Sequence, residues 1–174
     1  MLELKRVPVR EQPAEERRRN FEEVCLGYNQ DEAVQEAARC LNCKKPKCVE
    51  GCPVGINIPG FIAKVKAGDV AGAARVIAED SALPAVCGRV CPQESQCEGV
   101  CVRGKNGKPV AIGWLERFIA DWTARNMKPP TPPTSRKNQK VCVVGCGPGG
   151  LTAAGELARM GYDVTIFEAL HDTG

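Results

Sequence analysis

The chain carries the segment Cys40-Leu-Asn-Cys43-Lys-Lys-Pro-Lys-Cys48-Val-Glu-Gly-Cys52-Pro53 and, further on, the segment Cys87-Gly-Arg-Val-Cys91-Pro92-Gln-Glu-Ser-Gln-Cys97-Glu-Gly-Val-Cys101. Together they hold eight of the 11 cysteines in the 174 residues. Several thiolates from one short loop can wrap a corner of a [4Fe-4S] cube, while a further ligand comes from a remote segment. Both segments therefore predict iron-sulfur ligation.

The spacing also bears on how ligands are shared and on rival metals. Cys52 and Cys91 each precede a proline, as do remote ligands of two-cluster ferredoxins, which suggests crossed ligation. Zinc is the main alternative, because paired Cys-x-x-Cys modules bind it tetrahedrally. Only Cys40 and Cys43 form such a pair, and the longer gaps elsewhere favour a cube. Disulfides are not expected, because nothing marks the chain as secreted and cytosolic thiols stay reduced.

Charge and hydropathy exclude other classes of function. A net charge of +3 gives no reason to expect nucleic-acid binding. No apolar run reaches the roughly 18 residues of a membrane span, and the first residues lack the apolar core of a signal peptide. We therefore expect a cytoplasmic protein that binds neither membrane nor nucleic acid.

Apolar side chains at helical spacing predict a mainly helical N-terminal domain, residues 1–126. After an extended start over residues 1–12, helices are expected from Pro13 to Gly27, from Asn29 or Asp31 into Cys40, from Asn57 to Gly68, from Val70 to Glu79 and from Ala111 to Asn126. Asn57 and Asp69 are expected to cap their helices. Cys25 lies outside both cysteine segments and is interpreted as a buried thiol.

Glu116 breaks the pattern of the last helix. It lies at the edge of the apolar stripe of Ile112, Leu115, Ile119 and Trp122, where an unpaired carboxylate would be costly. Helix geometry alone favours a partly exposed side chain that reaches water or an arginine. The opposite face, with Arg117, Asp121 and Arg125, is expected to form ion pairs.

A proline-rich linker, residues 127–138, separates this domain from residues 139–174. A buried strand is expected from Lys140 to Gly145, a helix from Leu151 to Met160 and a second strand from Asp163 to Glu168. The turn between the first strand and the helix, with Gly145, Gly147, Pro148, Gly149 and Gly150, fits the dinucleotide pattern G-x-G-x-x-G.

Each motif residue has an expected role. Gly145 permits the tight turn, Gly147 lets the backbone approach a pyrophosphate, and Gly150 allows close packing of helix on strand. Glu168 is expected to accept a hydrogen bond from a ribose hydroxyl. One β-α-β unit cannot close a doubly wound sheet, so the chain is expected to be a fragment of a longer flavoprotein. Cys142, Cys146 and the single histidine, His171, are not expected to bind metal.

Several long stretches carry a family resemblance. They are Val7-Pro-Val-Arg-Glu-Gln-Pro13, Cys40-Leu-Asn-Cys43, Cys48-Val-Glu-Gly-Cys52-Pro-Val, Ile58-Pro-Gly-Phe61, Leu83-Pro-Ala-Val-Cys-Gly-Arg-Val-Cys-Pro-Gln-Glu94, Ala111-Ile-Gly-Trp-Leu-Glu116-Arg-Phe and the Gly145 motif. In these stretches the chain resembles the N-terminal part of the NADPH-dependent glutamate synthase small (beta) subunit family, including the large subunit of NADH-dependent ferredoxin:NADP oxidoreductase. It is also similar to the N-terminal region of dihydropyrimidine dehydrogenase, where glutamine would replace Glu116.

The resemblance implies an all-helical double [4Fe-4S] domain, the alpha-helical ferredoxin type, followed by the start of a Rossmann-like FAD-binding domain. It implies that one cluster is held by Cys40, Cys43, Cys48 and Cys101. It implies that the other is held by Cys52, Cys91, Cys97 and Glu116, which leaves Cys87 as a non-ligand and reverses the expectation for Glu116.

The implied function is that of an oxidoreductase when intact, with this fragment inactive alone. Electrons from NADPH, bound outside this chain, would pass through FAD and the clusters to a partner. That partner would be the glutamate synthase large subunit, or a ferredoxin or another reductase subunit. A zinc-stabilised interaction module without redox function is the alternative from a different class.

Overall fold

A computed structural model of the chain describes residues 5–128 and 133–173. The chain divides into two units, Met1–Met127 and Lys128–Gly174. Part of the expected N-terminal extended segment, residues 1–4, and part of the expected linker, residues 129–132, lie outside the described residues. No helix in the described ranges is long and apolar enough to cross a membrane.

The first unit is mainly helical. In chain order its elements are β1 (Arg10–Glu11), α1 (Ala14–Arg17), β2 (Cys25–Gly27), α2 (Gln30–Ala37), α3 (Lys47–Glu50), α4 (Ile58–Lys66), α5 (Val70–Asp80), α6 (Pro84–Val90) and α7 (Ile112–Asn126). Short 3₁₀ turns over Gln93–Ser95 and Val102–Asn106 lie between α6 and α7. The expected helices from Asn29 onward are confirmed, although α2 ends at Ala37, before Cys40.

The long helix expected from Pro13 to Gly27 is wrong. Instead, α1 is a single turn, and β1 and β2 pair as antiparallel strands. The Asn20 side chain donates to the Glu16 carbonyl 3.0 Å away and ends the turn. Arg117 of α7 donates a 2.5 Å hydrogen bond to the Cys25 carbonyl. These contacts satisfy the backbone in a hairpin, so the helix-forming residues of this segment do not continue as a helix.

Capping side chains begin the core helices. Asn29 forms a capping box with Glu32, and Asn57 and Asp69 accept hydrogen bonds from the backbone N–H groups of Gly60 and Gly72. The core behind these caps is apolar, and its fully buried large side chains include Phe61, Ile62, Val65, Ile77, Leu115 and Ile119. Helix α7 contributes Leu115 and Ile119 to this core. Helices α2, α5 and α6 all contact α7.

The expected ion pairing of Arg117 with Asp121 is confirmed, but Arg117 and Cys25 differ from expectation in their burial. Arg117 is buried, because its guanidinium pairs with Glu23 at 2.9 Å and reaches Asp121 at 3.6 Å. Cys25 is half-buried in β2 rather than buried. Both differences come from the N-terminal hairpin, which contacts α7.

The second unit contains β3 (Lys140–Val144), α8 (Pro148–Arg159) and β4 (Asp163–Phe167). The strands pair in parallel, with Val141 opposite Val164 and Val143 opposite Ile166. The expectation of a buried strand after Lys140 is wrong. Alternate residues of β3 are exposed, and Val144 is 85% exposed. In the described residues this sheet has only two strands, so each strand pairs along one edge only.

Candidate metal centre

Four cysteines from distant parts of the chain line one small cavity. They are Cys40, Cys43, Cys48 and Cys101. Cys40 follows the end of α2, and Cys48 lies in α3, which begins after Pro46. Between them the backbone turns sharply at Asn42, whose φ of 47° is in the left-handed region. Cys101 arrives from the other cysteine segment and precedes the 3₁₀ turn Val102–Asn106.

The walls of this cavity are largely apolar. The residues that share the lining include Leu41, Pro46, Pro59, Val102 and Val110. Burial, followed by the neighbouring Cys101 and Cys40, raises the pKa of the Cys48 thiol to about 11. Burial is also the main cause that raises the pKa of Cys40. Thiols in such surroundings keep their protons until a cation binds and compensates their charge.

A second cluster of donors lies where α6 meets α7. Glu116 of α7 is only 7% exposed, and its Oε1 atom has no hydrogen-bond partner in the described protein. Burial raises the pKa of this carboxyl to about 7. The expectation from helix geometry, a partly exposed Glu116 that meets water or an arginine, is therefore wrong. A buried carboxylate without a partner is costly unless something binds it, and a metal ligand is one such role.

Cysteines surround this carboxyl. Cys52 and Glu116 are both electrostatic neighbours of Cys91 and of Cys97. Burial, with the neighbouring Cys87 second, raises the pKa of Cys91 to about 11. Burial, with Glu98 second, raises that of Cys97 to about 12. The four residues expected as the second ligand set are thus neighbours in space.

The described donor side chains do not form a preassembled site for a single metal ion. Within residues 5–128 and 133–173, no three His, Cys, Asp or Glu side chains are close enough together to hold one metal ion. Tetrahedral zinc needs ligands at about 2.0–2.3 Å from a common centre.

Two buried carboxylates that position the donors are not apparent from the sequence. Glu36 and Arg39 are 0% exposed and form an ion pair with an N–O distance of 2.5 Å. Glu36 also accepts hydrogen bonds from the backbone N–H groups of Val7 and Ala111, each at 2.8 Å. The pair therefore joins the end of α2, just before Cys40, to the start of α7.

The other carboxylate is Glu98. It accepts hydrogen bonds from Arg6 at 2.7 Å and from the Gly113 N–H at 3.1 Å. Glu98 thus ties the loop that carries Cys97 to the first turn of α7, three residues before Glu116. On protein surfaces, acidic residues are common beside basic side chains and at the starts of helices. Only the burial of Glu36 and Glu98 shows that these two carboxylates have a structural role.

The glycine-rich turn has the expected backbone features. Gly145 has a φ of +91°, and a Cβ atom on Gly150 would lie 2.0 Å from the Gly145 carbonyl oxygen. No side chain caps the first turn of α8. Glu168 accepts 2.9 Å hydrogen bonds from the N–H groups of Cys146 and Leu170, and the first of these is the main cause that lowers its pKa to about 2. In this conformation the Glu168 carboxylate stabilises the glycine-rich turn through its hydrogen bond from the Cys146 N–H.

Comparison with known proteins gives the family. Residues 17–128 match the family described as dihydropyrimidine dehydrogenase domain II, 4Fe-4S cluster, and the chain belongs to it. Residues 143–174 match a second family, the NAD(P)-binding Rossmann-like domain. A 4Fe-4S domain is thus followed by the beginning of a nucleotide-binding domain.

Similar relatives are larger proteins. NAD-dependent dihydropyrimidine dehydrogenase subunit PreT of Salmonella typhimurium is 40% identical over 148 residues, which are 85% of this chain and 36% of the relative. Glutamate synthase [NADPH] small chain of Azospirillum brasilense is 38% identical over 160 residues, 90% of this chain and 33% of the relative. Putative oxidoreductase UacF of Escherichia coli is 38% identical over 163 residues, 92% of this chain and 26% of the relative.

These matches confirm the resemblance to the glutamate synthase small subunit and to dihydropyrimidine dehydrogenase. The chain spans about a third or less of the lengths of these three relatives.

Proposed function

We propose that this chain is the electron-transfer part of an oxidoreductase of the glutamate synthase small subunit type, passing electrons between FAD and a partner subunit through two [4Fe-4S] clusters. Residues 1–126 form the cluster domain, 127–138 the linker and 139–174 the start of the FAD-binding domain. The first cluster is held by Cys40, Cys43, Cys48 and Cys101. The second is held by Cys52, Cys91, Cys97 and Glu116.

One observation carries this proposal: Cys40, Cys43 and Cys48 share a cavity with Cys101, which belongs to the other cysteine segment. Crossed ligation predicts such a meeting, whereas a zinc module built from each segment separately does not. The buried, unpartnered Oε1 of Glu116 supports the second set, because a bound iron would satisfy it.

The residues of this chain hold the cofactors and control their surroundings. When bound, the clusters exchange single electrons and FAD exchanges electron pairs with NADPH. The apolar core beside the first set excludes water, and Lys66 supplies positive charge near Cys40. The first set has four thiolates, whereas the second has three thiolates and the carboxylate oxygen of Glu116. This difference in ligands would give the two clusters different reduction potentials.

In the second unit, Gly145, Gly147, Pro148, Gly149 and Gly150 form the proposed pyrophosphate cradle. The uncapped first turn of α8 offers backbone N–H groups to an anion. Glu168 stabilises the turn through its bonds to Cys146 and Leu170, and we propose that it also meets the FAD ribose. The NADPH site lies outside this chain in this proposal.

The name of the Azospirillum relative supports the glutamate synthase large subunit as the electron-accepting partner. The Salmonella relative, at 40% identity, favours a second candidate, a subunit of an NAD-dependent dihydropyrimidine dehydrogenase. Reduction assays of the intact protein with each purified partner, driven by NADPH or NADH, separate the two. Thiolate ligation requires a reducing compartment, so we propose that the protein acts in the cytoplasm.

The decisive test is metal analysis of protein purified without oxygen. Two [4Fe-4S] clusters require about eight iron atoms and broad absorbance near 400 nm. Cys48→Ser and Cys97→Ser, one from each set, should each lose about half of the iron. Cys142→Ser, which changes an exposed thiol in the second unit, should lose none. A colourless protein with stoichiometric zinc would refute the proposal and support the interaction module.

A further inference from the structure

Five donors meet at the second ligand set, although a [4Fe-4S] cube has only four iron positions to fill. The fifth is Cys87, which has Cys91 and Ser81 as near neighbours. Glu116 and Cys52 are also among its electrostatic neighbours. Cys87 is half-buried. Cys87 therefore lies beside three of the proposed ligands, Cys52, Cys91 and Glu116.

The helix geometry explains why Cys87 faces this group. The N–H of Cys91, the residue that ends α6, donates to the Cys87 carbonyl at 3.1 Å, so Cys91 follows Cys87 by one helical turn. Gly88 forms the crossing with α7, since a Cβ atom there would lie 2.7 Å from the backbone nitrogen of Arg117. Cys87 directly precedes Gly88, and Glu116 directly precedes Arg117, so Cys87 and Glu116 lie on either side of the crossing.

Building on the proposed two-cluster function, we propose that Cys87 is an alternative ligand for the iron that Glu116 binds. Either side chain can complete the second set, together with Cys52, Cys91 and Cys97. Were Cys87 to bind in place of Glu116, its thiol proton would pass to the carboxylate that leaves, and its thiolate would take the coordination position. Thiolate and carboxylate each carry one negative charge, so the exchange conserves the charge of a buried site.

The test compares iron content and spectra in full-length protein purified without oxygen. Glu116→Ala removes the carboxylate and leaves Cys87 available, so it should keep about eight iron atoms. Glu116→Ala with Cys87→Ser removes both donors and should fall to about four. Glu116→Ala with Cys142→Ser is the matched control, because it also removes a thiol but away from the site, and it should keep about eight.

Ligand identity has its own spectroscopic readout. The electron paramagnetic resonance spectrum of reduced Glu116→Ala should retain two cluster signals, one of them shifted from the wild type, because thiolate replaces oxygen at one iron. In the double variant with Cys87→Ser the shifted signal should be missing. The signal of the first set should persist in every variant, which shows that the domain is folded.

The outcomes separate the two proposals. Equal iron in Glu116→Ala and in its Cys87→Ser double variant, whether high or low, would refute the alternative ligand and leave the two-cluster function standing. About seven iron atoms in Glu116→Ala would also refute the alternative ligand, because the iron that Glu116 binds would then have no protein ligand and be lost. A wild-type protein without iron would overturn both proposals.

Discussion

Glu36→Gln is the substitution that most directly tests how the buried ion pair supports the fold. One carboxylate oxygen of Glu36 accepts from Arg39 and from the Ala111 N–H, and the other accepts from the Val7 N–H. A glutamine has one oxygen and one NH₂ group, so in either orientation an N–H donor faces the NH₂ group. Arg39 also loses its counter-charge while it is still buried.

The expected cost follows from these contacts. Removal of one partner from a buried ion pair costs about 3–5 kcal/mol. We expect about 3 kcal/mol here, because the glutamine oxygen keeps part of the bonding and Arg39 still donates to the Lys108 and Pro109 carbonyls at 2.6 and 3.1 Å. With a urea dependence of about 2 kcal/mol per M, the unfolding midpoint should fall by roughly 1.5 M.

The assay is urea unfolding followed by far-ultraviolet circular dichroism, with Glu79→Gln as the control. Glu79 is an exposed carboxylate on α5, and its loss should change the free energy of unfolding by less than about 0.5 kcal/mol. Glu36→Gln and Arg39→Met should also be non-additive by at least about 1 kcal/mol, because they share one interaction. If Glu36→Gln shifts the midpoint no more than Glu79→Gln does, the pair is not a structural tie.

Two glycine substitutions test the close contacts in each unit, and Gly155→Ala, whose Cβ atom would meet open space on α8, is the control for both. Gly88→Ala should lower the free energy of unfolding by about 1–3 kcal/mol in urea melts, because its Cβ atom would force α6 away from α7. An effect as small as that of the control would show that the helices separate without cost. Gly150→Ala should abolish the flavin absorbance of the intact purified protein, because its Cβ atom would lie 2.0 Å from the Gly145 carbonyl oxygen. Retention of flavin in Gly150→Ala would contradict the assignment of this turn to FAD.

Much of the helical architecture is predictable because it depends on nearby residues. The caps at Asn57 and Asp69 act on backbone groups three residues away, and the apolar spacing of α4, α5 and α7 is read within each helix. The glycine-rich turn is predictable for the same reason, since its geometry depends on a few consecutive residues. The ligand assignment stays a prediction that rests on spacing and on family resemblance.

Other features depend on residues that are distant in sequence. The segment after Pro13 contains good helix formers, yet most of it is not helical. The strands β1 and β2 pair in a hairpin, and Arg117 of α7 donates a hydrogen bond to the Cys25 carbonyl in that hairpin. Glu36 and Glu98 resemble ordinary surface carboxylates until the segment before β1, with Arg6 and Val7, and the start of α7 meet them. Local propensity amounts to tenths of a kcal/mol per residue, whereas burial of a charge against its partner involves several kcal/mol.

The same reasoning applies to the metal centre. Cysteine spacing predicts that thiols gather, because loop length limits how far neighbouring ligands can separate. The burial of Glu116 and the position of Cys87 beside it arise where α6 crosses α7 at Gly88. No pattern along the chain encodes that crossing, because it is set by the packing of two helices whose contacting residues are far apart in sequence.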